Sequence, residues 1–131
     1  MKRPHFLIPI MILLATGLLA ACGKSSASDP AKAVEDYWQA LVAKDSARLS
    51  SLSCAAYEST ALTTLESFQS VDVALNDFAC AAADPSGDSS AVTCAGNIVA
   101  SYGSEDLVID LSERTYSAVK EGGDWRMCGE Q

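Results

Sequence analysis

The hydrophobic positions of this chain fall into three regimes. Residues Phe6 to Leu14 are apolar almost without interruption, and the run continues through Ala15-Thr16-Gly17-Leu18-Leu19-Ala20-Ala21. After the small, polar stretch Gly23-Lys24-Ser25-Ser26-Ala27-Ser28, helical period takes over: Val34, Tyr37, Trp38, Leu41 and Val42 recur at i, i+3, i+4, i+7 and i+8. Asp29-Pro30 supplies a cap and a first-turn proline, so the pattern predicts a helix over 30–44. Asp45 can cap a second, short helix with Leu49 and Leu52 on one face. A third is predicted from about Ala55 to Phe68, with Leu62, Leu65 and Phe68 spaced three apart.

Beyond Gln69 the period shortens to two. Val71, Val73 and Leu75 alternate with Asp72 and Ala74, which is strand spacing. Residues 91–102 form a second strand segment, and Leu107, Ile109 and Leu111 mark a third. Thr115 to Lys120 either continues that strand past a bend or forms another. Glu121-Gly122-Gly123-Asp124 is a turn, and Trp125 to Cys128 the last strand. Helices followed by strands joined by short turns predict an α+β fold. The helices are expected to pack on a curved antiparallel sheet of about four strands.

The aperiodic start has a different meaning. A basic opening (Lys2, Arg3), an apolar run and small residues before a cysteine are the marks of an export signal. The run is short for a membrane span of ~20 residues, and it contains Pro9 and Gly17. Leu19-Ala20-Ala21-Cys22 resembles the lipobox of bacterial lipoproteins. That resemblance implies cleavage between Ala21 and Cys22, a diacylglycerol on the Cys22 thiol, and acylation, for instance by palmitate, of the new Cys22 amino group. Two or more chains make a stable anchor where one, at ~0.8 kcal/mol per buried methylene, is marginal. The expected organisation is a signal peptide at 1–21, a lipidated cysteine with linker at 22–29, and one domain at 30–131. A linker of this length spans only ~13–15 Å, which holds the domain close to the membrane.

Charge and cysteines narrow the function classes. Loss of residues 1–21 leaves seven of nine basic residues against all seventeen acids, a net charge of −10. Such a domain lacks the Lys and Arg surface that binds nucleic acid. The single histidine, His5, leaves with the signal. That removes histidine-dependent triads, Cys-His dyads and His-ligated zinc. Setting Cys22 aside, Cys54, Cys80, Cys94 and Cys128 remain. An even count in an exported domain suggests two disulfides; a zinc site of four cysteines is the rival, but no C-x-x-C pair is present. Three pairings are possible. The favoured one joins Cys80 to Cys94 across the turn Asp84-Pro85-Ser86-Gly87-Asp88, and Cys54 to Cys128 between the helical half and the last strand. The acid clusters Glu35-Asp36, Asp84 with Asp88, Glu105-Asp106 and Glu121 with Asp124 lack calcium-loop spacing. They read as solvated turns and helix faces, and no metal or cofactor is expected.

Two stretches together carry a further resemblance. Ala33-Val34-x-x-Tyr37-x-x-Ala40-Leu41-x-x-x-Asp45-x-x-x-Leu49-x-x-Leu52 looks like a family's first long helix and the short one after it. Gly122-Gly123-x-Trp125-Arg126-Met127-Cys128 looks like its closing strand. The chain thereby resembles the nuclear transport factor 2-like superfamily, over most of residues 30–131. This implies a cystatin-like α+β cone with a pocket between sheet and long helix. In that family the pocket binds small apolar molecules, hosts isomerase or dehydratase chemistry, or is filled in. Candidate pocket residues are Tyr37, Tyr57, Tyr116 and Trp125, and Trp38 and Phe68 could line the pocket with them; more often such aromatics simply fill the core. None of the tyrosines, Tyr102 included, matches a catalytic motif, so no catalytic residue is assigned. The expected function is a non-enzymatic, lipid-anchored cell-envelope protein that binds a small apolar ligand or an envelope protein. The rivals are an isomerase, dehydratase or hydrolase with an Asp/Tyr site and a purely structural module.

Overall fold

The computed structural model describes residues 29–131. The expected signal peptide, the Ala21–Cys22 cleavage site, the lipidated Cys22 and nearly all of the linker lie outside the described residues. Helix α1 spans Pro30–Val42. Its cap is Asp29, whose carboxylate accepts from the Lys32 amide at 2.8 Å, relieving one of the unpaired donors of the first turn. It stops two residues short of the expected end, because Lys44 turns into the left-handed region at φ 56°. The Lys44 ammonium then donates to the carbonyls of Gln69 (3.2 Å) and Val71 (2.7 Å). Helix α2, Ser46–Leu52, is capped by Asp45 through the Arg48 amide and buries Leu49 and Leu52. Helix α3, Glu58–Phe68, starts later than Ala55. Residues 53–54 are drawn instead to the last strand: Ser53 bridges Met127, and the Cys54 amide donates to the Met127 carbonyl at 2.8 Å. The buried face of α3 is Ala61, Leu65 and Phe68, at spacings of four and three; Leu62 is half-buried.

Five antiparallel strands follow: β1 Asp72–Ala82, β2 Ser89–Tyr102, β3 Glu105–Asp110, β4 Thr115–Glu121 and β5 Asp124–Glu130. Strand β2 is the spine. One side pairs along β1; the other pairs with β3 through Asn97–Tyr102 and with β4 through Ser89–Thr93. Strands β3 and β4 are therefore successive segments along one side of β2, interrupted by a 3-10 turn at Leu111–Glu113. Of the two readings open for Thr115–Lys120, a continued strand past a bend or another strand, the structure shows a separate strand, which makes five where about four were expected. Strand β1 is twice its expected length. A bulge at Asp77–Phe78 breaks the alternation after Leu75 and hides the second half of the strand. Opposite the bulge lies Gly96, at φ 92°, where a Cβ would sit 2.4 Å from the Asn76 carbonyl oxygen. Only glycine fits there, and the bulge bends the sheet around the helices.

The core lies between α1, α3 and the concave face of the sheet. Even-numbered residues of β2 (Val92, Cys94, Ile98, Ala100) point inward and meet Ala33, Val34, Tyr37, Leu41, Leu65 and Phe68. Tyr116 and Ala118 of β4 and Trp125 and Met127 of β5 complete it. Burial at ~25 cal/mol per Å2 of apolar surface drives this assembly. Two acids expected in solvent do structural work instead. Asp36 is buried and pairs with Lys32 and with Arg48 (3.4 Å), tying α1 to α2; an unpaired charge there would be costly. Glu35 accepts from the Cys80 amide of β1 at 3.0 Å. Among the described residues, no helix is long and apolar enough to cross a membrane.

Candidate functional site

Where α1 and α3 cross the inner face of the sheet, an apolar cleft of about 210 Å3 remains. Its wall is built from Trp38 of α1, Thr64 and Phe68 of α3, Ile98 of β2, Ile109 of β3, Leu111 of the 3-10 turn and Tyr116 of β4. Each side chain arrives by the period of its own element: Thr64 and Phe68 stand one helical turn apart, and Ile98 pairs directly with Ile109. Arg114 and Glu130 complete the lining. Their side chains form an exposed ion pair at 2.6 Å, so the two charges of the cleft neutralise one another.

The aromatics stack in series behind this wall. Trp38 meets Tyr37 edge to face (centroids 5.3 Å apart, 83°) and Tyr116 likewise (5.5 Å, 76°). Tyr37 in turn leans on Tyr57, 6.2 Å away. The Tyr116 hydroxyl is committed: it donates to the Leu111 carbonyl at 3.1 Å, which pins the 3-10 turn to β4. Burial, reinforced by the nearby Glu130 carboxylate, pushes the Tyr116 phenol up to about 12. Burial and then the Tyr57 phenol push Tyr37 further in the same direction. Tyr57 is also raised, chiefly by burial. Phenols held this far above neutrality stay protonated at physiological pH. They can donate hydrogen bonds but do not act as bases.

Of the four candidate pocket residues, the structure places Tyr116 in the cleft wall. Tyr37 is fully buried one layer behind it, and half-buried Tyr57 stands behind Tyr37 at the start of α3. Trp125 is not brought to this group; it is buried at the start of β5, with the Lys120 ammonium 5.9 Å from its ring. Phe68 and Trp38, read from the sequence as possible pocket residues, do line the cleft. Ile98, Ile109, Leu111, Arg114 and Glu130 were not singled out. Strand alternation marks the two isoleucines as inward-facing, but nothing local links Arg114 to Glu130, sixteen residues away.

The four cysteines form two disulfides, Cys54–Cys128 (Cα–Cα 5.2 Å) and Cys80–Cys94 (Cα–Cα 4.0 Å). This is the favoured pairing of the three, and it takes up all the thiols that a zinc site would need. Among the described residues, no three His, Cys, Asp or Glu side chains are grouped as metal ligands.

No family model matches the sequence, and no curated protein does. Among solved structures, the chain is similar to a candidate dehydratase of the nuclear transport factor 2-like family from Streptomyces avermitilis. The TM-score is 0.53 at 14% identity, over 76% of this chain and 89% of that one. A SEC-C motif-containing protein from Rhodopseudomonas palustris gives 0.52 at 10% identity, over 81% and 80%. A candidate scytalone dehydratase from Novosphingobium aromaticivorans gives 0.50 at 16%, over 73% and 74%. At these identities the likeness concerns the fold: three helices on an open five-stranded sheet, the nuclear transport factor 2-like α+β cone.

Proposed function

We propose that this chain is a lipid-anchored cell-envelope protein whose cone is a binding module rather than an enzyme, and that its cleft receives a small apolar group. The observation that carries the binding reading is the cleft itself. It is lined mainly by apolar side chains, its two charges are paired to each other, and its phenol is raised and already bonded to a backbone carbonyl. Acid–base chemistry on a substrate needs a free group within reach of the reacting atom; here the Tyr116 hydroxyl is committed to the Leu111 carbonyl and the Glu130 carboxylate to Arg114. Its volume is below the ~300–1,000 Å3 of drug-sized ligand sites, which suits a single ring or branched chain.

Cyclohexanol is a fitting probe. Titration should move the methyl resonances of Ile98, Ile109 and Leu111, and a Thr64→Trp variant that fills the cleft should abolish those shifts. Unmoved methyls at millimolar probe would reject the reading. A second reading, acid–base catalysis, draws on Glu130, whose carboxylate lies close enough to raise three phenols. Turnover lost in Glu130→Gln with probe binding intact would favour it. The anchor reading is supported by Leu19-Ala20-Ala21-Cys22, and by Cys22 being the one cysteine left when the two disulfides form. Cys22→Ser should shift the protein from membrane to soluble fractions; full membrane retention of that variant would refute lipid anchoring.

A further inference from the structure

The sheet is covered unevenly. Alongside the first half of β2 it is four strands wide, in the order β1-β2-β4-β5. Strand β5 pairs only with β4; its last partners are Glu130 opposite Tyr116, and the Gln131 amide donates to the Thr115 carbonyl. Because β3 and β4 run one after the other, the line of β5 points along the outer edge of β3. Among the described residues, no strand occupies that place. The other edges are covered at single points: Ser53 and Cys54 cover Met127 on β5, and Glu35 takes the Cys80 amide on β1. Such covering is how native sheets avoid adding strands.

The bare edge is also where the apolar surface lies. Tyr102 (50% exposed), Leu107 (50%) and Val108 (58%) are the exposed large hydrophobic residues of the described chain, and all belong to the β2–β3 hairpin. Leu107 stands opposite Ala100 and shares the concave face with Ile109 of the cleft; Val108 stands opposite Val99 on the convex face. A strand laid here would shield apolar side chains on both faces. Glu105, Asp106, Asp110 and Glu113 surround them, and residues 29–131 carry seventeen acids against six basic residues, a net charge of −11. A second copy would set like charges against one another, whereas a basic segment would match them.

We infer that the β3 edge binds an extended segment of a basic partner protein. The segment adds as a fourth strand beside β3, antiparallel to it and in line with β5. Backbone hydrogen bonds supply the pairing, and alternating apolar and Lys or Arg side chains supply the fit. This goes beyond the cleft reading and can fail separately from it, since it is read at β3 amides rather than cleft methyls.

The test uses the isotope-labelled full chain and three probes: an acetylated heptapeptide of alternating Lys and Val, its Glu/Val counterpart, and the Lys/Val peptide N-methylated at alternate amides. The Lys/Val peptide should shift and slow the exchange of amides in 105–110. The other two peptides, and the Leu107→Lys/Val108→Lys variant with the first, should each bind at least about tenfold more weakly. Circular dichroism of the variant should match that of the parent chain. Equal binding by Glu/Val and Lys/Val peptides would overturn the proposal, as would unmoved 105–110 amides. Slow exchange there in the protein alone, rising with its concentration, would assign the edge to a second copy and overturn it too.

Discussion

The two flanks of the sheet on the far side of β2 are built to opposite standards. Beside β4, strand β5 is paired on one edge and held on the other by Ser53, Cys54 and a disulfide that spans 74 residues of sequence. Beside β3 there is neither strand nor crosslink among the described residues, and three large apolar side chains face solvent. The two flanks meet different halves of the same spine strand, β4 at Ser89–Thr93 and β3 at Asn97–Tyr102. The 3-10 turn at Leu111–Glu113 divides β3 from β4, and among the described residues only the second segment carries a further strand, β5, on its outer edge. The closed flank thus holds the crosslink and the covered strand, while the open one leaves a row of backbone groups beside exposed apolar side chains.

The contrast can be broken most forcefully at its crosslink. Replacing Cys54 and Cys128 by Ser removes a closure that loop entropy values at ~4.5 kcal/mol, against ~3 kcal/mol for the shorter Cys80–Cys94 loop. Denaturant melts of the two double variants should keep that order; the reverse order would mean that the closed flank does not depend on its crosslink. Trp125→Ala, on the same flank, should cost ~3–5 kcal/mol by the same measurement. An unchanged midpoint would mean that the indole is not core.

The buried phenols give a pH signature. Their folded pKa values lie above the unfolded value of ~10, so the native state keeps protons that the unfolded chain releases. Their contribution to stability should be level below pH 10 and fall as pH rises from there to about 12, where Tyr116 itself ionises. The fall should be smaller in Tyr116→Phe; an equal fall would remove Tyr116 as its source. The smallest effect belongs to the open flank. Leu107→Asn should change the unfolding free energy by less than ~0.5 kcal/mol. A larger loss would show that the β3 edge is already covered.

How much of this was legible in the sequence follows from how local each signal is. Asp29-Pro30 and the Val34–Tyr37–Leu41 spacing suffice for α1, because cap and period lie within one helix. The cysteine pairing was reachable because Cys80 and Cys94 flank a turn. The second half of β1 was not, since Asn76-Asp77 reads as a loop until Gly96 is seen across from it. The cleft was legible only in part: Tyr116, Trp38 and Phe68 stand out as aromatics, while Arg114 and Glu130 meet through the β4–β5 register. Trp125 shares the aromatic character but sits at the far end of its strand. The buried role of Asp36 was equally hidden, because its partner Arg48 comes from the next helix.

Gly96 has a consequence for how the protein matures. The bulge it permits adds one residue to β1 between Asn76 and Ala79. With Asn76 still opposite Asn97 and no bulge, Ala79 would face Cys94, and Cys80 would stand opposite Thr93 on the other side of the sheet. The achiral residue at position 96 therefore acts as an oxidation template. By setting the strand register it decides which sulfur Cys94 meets, and a side chain there would leave the correct covalent partner on the wrong face.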